Sequence, residues 1–504
     1  MKINYLYILI FLNISFSESV GLFNIQNLAT NFLNSQQSNN QDFLLLDVYT
    51  KKENNAITLY IINFKPSGFV VVSSNNKVRP ILAYSFKENL DINNLSIQAD
   101  YIISSYSQNI LDIINNDSFE VDSSIENSWQ EYSINQQRDE NFREINPLIT
   151  ANWNQGGDWN FLCPNNSLVG CVAVAMGQVM YYWNYPNQGT GYSQYYSPEH
   201  GMISVDFSDY IYNFDNMNDD NPTYDSQLLL YHAGAAVEMN YSPWASGASV
   251  CWDGHSAQSA LDDNFNYYDE ITCIVKNNYS MEEWNEVIKN QLDRGWPVIY
   301  RGYSDDAGHA WNIDGYQDDY FHCNWGWGGS SNGYFYFDDL NGGGFSFIEN
   351  QAALINIVPD NIEQPIALFE YQIDDLQIDF TNLSDIVNED VINSYFWDFG
   401  NGNTSINNSP IHNYEDYGVY EVSLIVMSEY GFESIPHIES IEIVNYLGDV
   451  NNDLSIDILD VIQLMNIILM NDFSNNQIEE LDFNNDDRLN ILDVIVLIQI
   501  VLDF

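Results

Sequence analysis

Apolar and polar residues in the first quarter of the chain alternate in short runs. "FLLLDVYT" (43–50), "AITLYIINF" (56–64) and "GFVVVSS" (68–74) are rich in β-branched and aromatic residues. Asn54-Asn55 and Pro66-Ser67-Gly68 punctuate them, so the pattern predicts strands joined by tight turns. In "ADYIISSYSQNILDIINN" (99–116) the period changes. Ile102, Tyr106, Ile110 and then Ile113 or Ile114 recur at helical spacing. Residues 122–145 are polar, include Arg138 and Arg143, and read as an exposed linker. In "NSLVGCVAVAMGQVMYYW" (166–183), Val172, Met176, Val179 and Trp183 predict a helix that starts at Cys171, just after Gly170. "HAWNIDGY" (309–316) reads as a strand followed by a turn. Residues 359–365 form a second polar linker, and 366–445 read as short strands. There, Tyr420, Val422, Leu424 and Val426 alternate along one face. The tail holds a twelve-residue acidic loop running into an apolar helix, starting at Asp449 and repeated at Asp482.

Composition widens this picture. A chain of 504 residues with 45% hydrophobic and 15% aromatic content can bury several cores. Its 14 Lys+Arg stand against 71 Asp+Glu, a net charge of −57. Such a surface repels nucleic acid and anionic membranes. It suits a secreted protein in a salty medium, where repulsion is screened within ~8–10 Å, and it suits cation binding. Residues 1–17 combine Lys2, an apolar run and Ser15-Phe16-Ser17, the pattern of a secretory signal peptide. The run is shorter than the ~20 residues of a membrane span, and no later segment reaches that length. The five cysteines, an odd number, all lie between 163 and 323, which points to a free thiol with a task. No C-x-x-C pair exists, which argues against zinc.

Thiol catalysis requires a thiolate, a base, oxyanion donors and a group that orients the base. Cys171 at a helix start meets the first need, because the helix dipole favours the thiolate and backbone N–H groups point at the substrate. His309, flanked by Gly308 and Ala310, is a candidate base. Its spacing from Cys171 falls in the ~130–150 residues at which papain-like enzymes place the pair. Asn324 follows, with a carbonyl able to accept the imidazole N–H, and the nearby tryptophans, Trp325 and Trp327, could exclude water from that bond. The Gln155 side chain could complete an oxyanion hole with the Cys171 N–H. His322, beside Cys323, reads as an ordinary histidine. Cys163 and Cys323 lie close in sequence to Cys171 and Asn324, so one of them could pair in a disulfide or interfere with the site.

"GCVAVAMGQVMYYWNYP", "GHAWNIDGY" and "NWGWGGSSNGYF" resemble the streptopain family of secreted papain-like cysteine peptidases. The resemblance implies an α+β papain-like catalytic domain over 147–358, acting on protein or peptide substrates without a cofactor. In it Cys171 is the nucleophile, His309 the base, Gln155 the oxyanion donor, and Asn324 with Trp325 the orienting pair. "GFVVVSSNNKVRPILAYS" (68–85) resembles that family's strand-rich inhibitory propeptide, which implies an α+β prodomain over 18–146. Two rivals are another Cys-His acyl transferase, amidase- or transglutaminase-like, and a non-catalytic adhesin. The intact set of four polar residues argues against the adhesin.

"YFWDFGNGNTSINNSPIHNYEDYGVYEVSLIV" (395–426) resembles a PKD-type β-sandwich, assigned to 365–445, with Asn401 where that family usually has Asp. The two tail loops put oxygen side chains at positions 1, 3, 5, 9 and 12: Asp449, Asn451, Asp453, Asp457, Asp460, then Asp482, Asn484, Asp486, Asn490, Asp493. Ser455 and Arg488, at position 7, would add backbone carbonyls. Ca²⁺ takes 6–8 oxygens, so the spacing predicts two structural Ca²⁺ sites. Aspartate at position 12 and the missing glycine at position 6 point away from an EF-hand sensor. The paired loop–helix units over 447–504 resemble a small α-helical type I dockerin. That implies a cohesin-like partner, read by Ile458-Leu459 and Ile491-Leu492.

Overall fold

The structure, a computed structural model, describes residues 19–36, 43–115, 123–133, 143–252, 254–303, 308–337, 349–362, 364–374, 376–386, 390–443, 448–451, 455–470 and 481–503. Residues 1–17, read from the sequence as a signal peptide, lie outside them. The chain divides into two compact units, 1–362 and 363–504.

The first unit opens with α1 (Leu22–Gln36), which buries Ile25, Leu28, Ala29, Phe32 and Leu33 at helical spacing. Next come β1 (Leu44–Glu53), β2 (Ala56–Lys65), β3 (Phe69–Ser73) and β4 (Ile81–Ser85). Asn54 and Asn55 both take positive φ, 48° and 71°, in the β1–β2 turn. Two left-handed residues give a hairpin turn whose twist matches its strands. Helix α2 (Ile97–Asn115) buries Ile102, Tyr106, Ile110 and Ile113.

The linker reading of 122–145 needs correction. Residues Ser123–Ser133 form helix α3. Trp129 Nε1 donates to the Val78 carbonyl at 2.8 Å, and the Phe32 and Tyr132 rings meet edge to face at 5.1 Å. Three apolar anchors, Ile125, Trp129 and Tyr132, tie an otherwise polar helix to α1 and the turn before β4. The described remainder of that stretch, β5 (Glu144–Ile145), pairs with a strand of the following region, at Tyr316 and Gln317.

That region contributes α4 (Cys171–Trp183), the hairpin β6 (Tyr192–Ser197) and β7 (Gly201–Asp206), α5 (Tyr224–Ala236) and α6 (Ala257–Asp263). There follow β8 (Thr272–Val275), α7 (Met281–Asp293), β9 (Val298–Tyr303), β10 (Gly308–Gln317), β11 (Tyr320–Asn324), β12 (Gly333–Tyr336) and β13 (Glu349–Ile355). Among the described residues its strands join those of the N-terminal part in one eleven-stranded sheet, ordered β1-β2-β3-β4-β12-β11-β10-β9-β13-β8 with β5 on β10. The seam is β4 against β12, with Tyr84 opposite Tyr334 and Ala83 opposite Phe335. Side chains lock it. Tyr106 Oη donates towards the Leu82 and Tyr336 carbonyls, and Tyr84 Oη donates to Gln317 at 2.7 Å. The Arg79 guanidinium lies 4.1 Å from the Tyr336 ring centroid.

Cys251 is disulfide-bonded to Cys273 of β8. Cys163 and Cys323 are buried free thiols, so neither makes the disulfide suggested by nearness in sequence.

In the second unit, β14 (Phe369–Asp374), β15 (Gln377–Asn382) and β18 (Ile411–Asn413) form one sheet. The other contains β16 (Ile392–Asp398), β17 (Thr404–Ser405), β19 (Gly418–Ser428) and β20 (His437–Ile443). Phe369, Phe380, Trp397, Val422, Leu424 and Val426 fill the sandwich between them. Helices α8 (Ile458–Met470) and α9 (Ile491–Asp503) pack through Val461, Leu464, Val494 and Leu497. Among the described residues, no helix is long and apolar enough to cross a membrane.

Candidate active site

Gly170 sets the geometry of the thiol. Its φ is 92°, a conformation costly for L-residues, and an added Cβ would stand 2.6 Å from Met239. The sharp turn delivers Cys171 as the first residue of α4, whose other face is buried. His309 is the second residue of β10, and helix α4 packs on that strand. Both side chains line a cavity of about 330 Å³, together with Gln155 and Trp327.

The N-terminal part enters the same cavity. Ile97 and Gln98, at the start of α2, line it, and the Tyr101 ring lies 6.0 Å from that of His309. The Gln98 amide oxygen is buried there without a hydrogen-bond partner among the described residues. Burial pushes the Cys171 thiol pKa up, outweighing the backbone hydrogen bonds to Ala310, Val172 and its own N–H that lower it. Burial also pulls the His309 imidazole down. Both shifts favour neutral forms, the opposite of the depressed thiol expected from the helix dipole. One helix end does not offset the desolvation of a thiol packed into the cavity wall.

Asn324 ends β11 and is almost fully buried. Its Oδ1 accepts from Gln178 Nε2 at 3.1 Å and from the Gly326 N–H, while its Nδ2 donates to the Ala151 carbonyl. Among the described residues no hydrogen bond joins it to the His309 ring. The expected imidazole partner instead ties β11 to α4, the helix that carries Cys171. Of the two tryptophans, Trp325 lies away from the cavity. It packs in the core between Trp311 and Phe335, with Nε1 donating to the Ser331 carbonyl. Two residues later, Trp327 occupies the cavity wall. His322 is held by the fully buried Asp314, 2.6 Å away, whose other oxygen accepts the Ile149 N–H.

The acidic loops show a different chemistry. The position-12 carboxylates, Asp460 and Asp493, are completely buried. Asp460 accepts the N–H groups of Val450, Asn451 and Asp457, and Asp493 those of Asn484 and Asn490. Each carboxylate thus closes its loop. Asp487, at position 6, takes a positive φ of 59° without being glycine. The Asn484 carboxamide is buried without a partner among the described residues, as expected of a side chain that should face a cation. An all-oxygen donor set with such an orphan fits Ca²⁺. Asp453 lies outside the described residues.

Residues 153–335 match the family model "Peptidase C10 family". Streptopain of Streptococcus pyogenes is 28% identical over 362 residues, covering 63% of this chain and 85% of that protein. The chain contains a peptidase C10 domain. The C10 match is flanked by three others: Spi protease inhibitor over 19–110, PKD domain over 364–442 and dockerin type I domain over 447–502. A solved mutant fragment of prointerpain A from Prevotella intermedia shares 27% identity and superposes with a TM-score of 0.50, covering 62% of this chain and 98% of that one. A thiol protease/hemagglutinin, PrtT, of Porphyromonas gingivalis is 27% identical over 67% of this chain and 42% of its own length.

This C10 chain is therefore a cysteine peptidase with an inhibitory propeptide, made as a zymogen and followed by PKD and calcium-binding dockerin domains. Sequence reasoning missed three parts of the cleft: the loop Trp244–Val250, Arg301, and the entry of Ile97 and Gln98. The run of small residues in "WASGASV", bracketed by Trp244 and Trp252, was the available signal for the loop.

Proposed function

We propose that the chain is a secreted endopeptidase whose Cys171 thiolate attacks the peptide carbonyl. His309 first takes the thiol proton and then gives it to the leaving amine, and water hydrolyses the acyl-enzyme. The Gln155 amide and the Cys171 N–H hold the oxyanion. Asn324 acts as a positioning residue through Gln178, and Trp325 braces the strand behind it. The observation that carries the reading is that Gln155, Cys171 and the distant His309 line one cavity, and that Ile97 and Gln98 at the start of α2 line it too. The Cys251–Cys273 disulfide and the charge of −57 support an extracellular setting.

We assign 18–146 to the propeptide, 147–358 to the catalytic domain, 365–445 to the PKD-type spacer and 447–504 to the docking module. Two Ca²⁺ ions are held by Asp449, Asn451, Asp453, Asp457, Asp460 and the Ser455 carbonyl, and by Asp482, Asn484, Asp486, Asn490, Asp493 and the Arg488 carbonyl. Ile458-Leu459 and Ile491-Leu492 are exposed and meet a cohesin-like partner. The deciding experiment compares Cys171→Ala with Cys163→Ala and Cys323→Ala on casein. Cys171→Ala should abolish cleavage and the other two should retain it. Wild-type turnover by Cys171→Ala would end the assignment.

A further inference from the structure

Among the described residues lining the cleft, Arg301 is the one side chain that carries a permanent charge. It is a scarce residue type here, since Lys and Arg together number 14. Its position is built. Arg301 lies in β9, with Ala310 opposite on β10 and Ala352 opposite on β13, so its backbone is fixed from both sides. Its guanidinium lies 4.6 Å from the ring centroid of Trp252. Trp252 follows Cys251 directly and is held in a left-handed conformation, φ 67°. The disulfide to Cys273 pins this end of the loop to β8, and the segment Trp244–Val250 immediately before it walls the cleft. A cross-linked loop therefore presents an aromatic face on which the guanidinium rests.

A cation held this way is pre-organised rather than left to sample solvent. Arginine presents a planar fork that matches a carboxylate with two parallel hydrogen bonds.

We propose that Arg301 is a specificity residue that selects an aspartate or glutamate side chain of the substrate polypeptide near the scissile bond. The proposal rests on Cys171 and His309 being the reacting pair. The body charge of −57 repels acidic peptides at long range, but at 0.15 M salt that field is screened within about 8 Å. Contact with Arg301 occurs inside that distance.

The test is a positional scan with quenched fluorescent peptides on the activated, full-length enzyme. Asp, Glu, Asn, Gln or Lys is placed in turn at each of the four positions on either side of the cleaved bond. Active enzyme is counted by covalent alkylation of Cys171. Wild-type enzyme should cut the acidic peptide at least about fivefold faster than its amide counterpart at one position, by kcat/KM, as a charge-assisted hydrogen bond allows. Arg301→Gln should bring that ratio close to one, Arg301→Glu should turn it towards lysine, and Arg301→Lys should keep its direction at reduced size. A wild-type enzyme with no acidic preference at any position overturns the proposal, as does a preference that survives Arg301→Gln. If Arg301→Gln does not fold, the wild-type and Arg301→Lys scans still decide. An alkylatable enzyme that cuts none of the peptides would count against the peptidase mechanism, not against the selectivity.

Discussion

Cys171 and His309 share a cavity yet hold no charge for each other in the latent form. Burial raises the thiol and lowers the imidazole, so both are neutral at neutral pH. Displacing the prodomain, whose Ile97 and Gln98 line the same cavity, should lessen the burial behind both shifts. The thiol pKa should then fall and the imidazole pKa rise, until the pair exists as thiolate and imidazolium. Iodoacetamide reads this directly, because alkylation follows the thiolate. In the zymogen, alkylation of Cys171 should rise with a midpoint above the ordinary ~8.5 of a free thiol. In the trimmed enzyme the midpoint should drop below that value by at least about one pH unit. Identical profiles for the two forms would show that the prodomain does not set the charge state. Cys171 and His309 were legible in the sequence because small neighbours and helical spacing mark them locally. The bond from Asn324 to Gln178 was not, because it depends on how α4 lies against β11. Trp325 and Trp327 look alike in sequence, and only the turn after β11 sends one to the core and the other to the cleft.

At the scale of elements, the boundary between inhibitor and enzyme is drawn by what each side grips. Helix α3 holds to α1 and to Val78. From residue 143 onward the chain holds to the catalytic part. Arg143 pairs with Glu286 and Asp293 at 3.1 and 2.7 Å, its carbonyl accepts the Asp318 N–H, and β5 joins β10. Activation should therefore leave a new N-terminus between 134 and 143, read by mass spectrometry of the trimmed enzyme. A terminus before 123 or beyond 147 would contradict this partition. Strands β1 to β3 and helices α2 and α4 were visible as periodicity. Helix α3 was hidden because three apolar anchors among eleven residues barely rise above a polar background. The β4–β12 seam was invisible, since nothing in "ILAYS" names "GYFY" as its neighbour.

For the whole molecule, the two compact units separate the chemistry from the calcium. The buried Asp460 and Asp493 close their loops through backbone N–H groups of the same loops. Removing Ca²⁺ with a chelator should lower the melting temperature of a C-terminal transition in full-length protein. It should leave kcat/KM on a short peptide within about twofold. Calorimetry with and without the chelator, beside a peptide assay, checks both. A loss of peptide cleavage that tracks the C-terminal melting would show that the units are coupled.

The shared sheet gives the molecule a direction in time. The strands β4 and β12 complete one another, and Tyr106 and Arg79 from the inhibitor pack around Tyr336. While the chain is intact, β12 folds against a template carried on the same polypeptide, at the high local concentration that linkage provides. Once that template is cut away and lost, the enzyme should keep its structure but not the means by which it acquired it. A denatured zymogen should regain activity after dilution and trimming. A denatured mature enzyme should recover at least about tenfold less, unless residues 19–133 are supplied separately. Equal recovery by both would mean that the seam is only a lock. Maturation would otherwise be a step that the folded enzyme survives and an unfolded one cannot retrace.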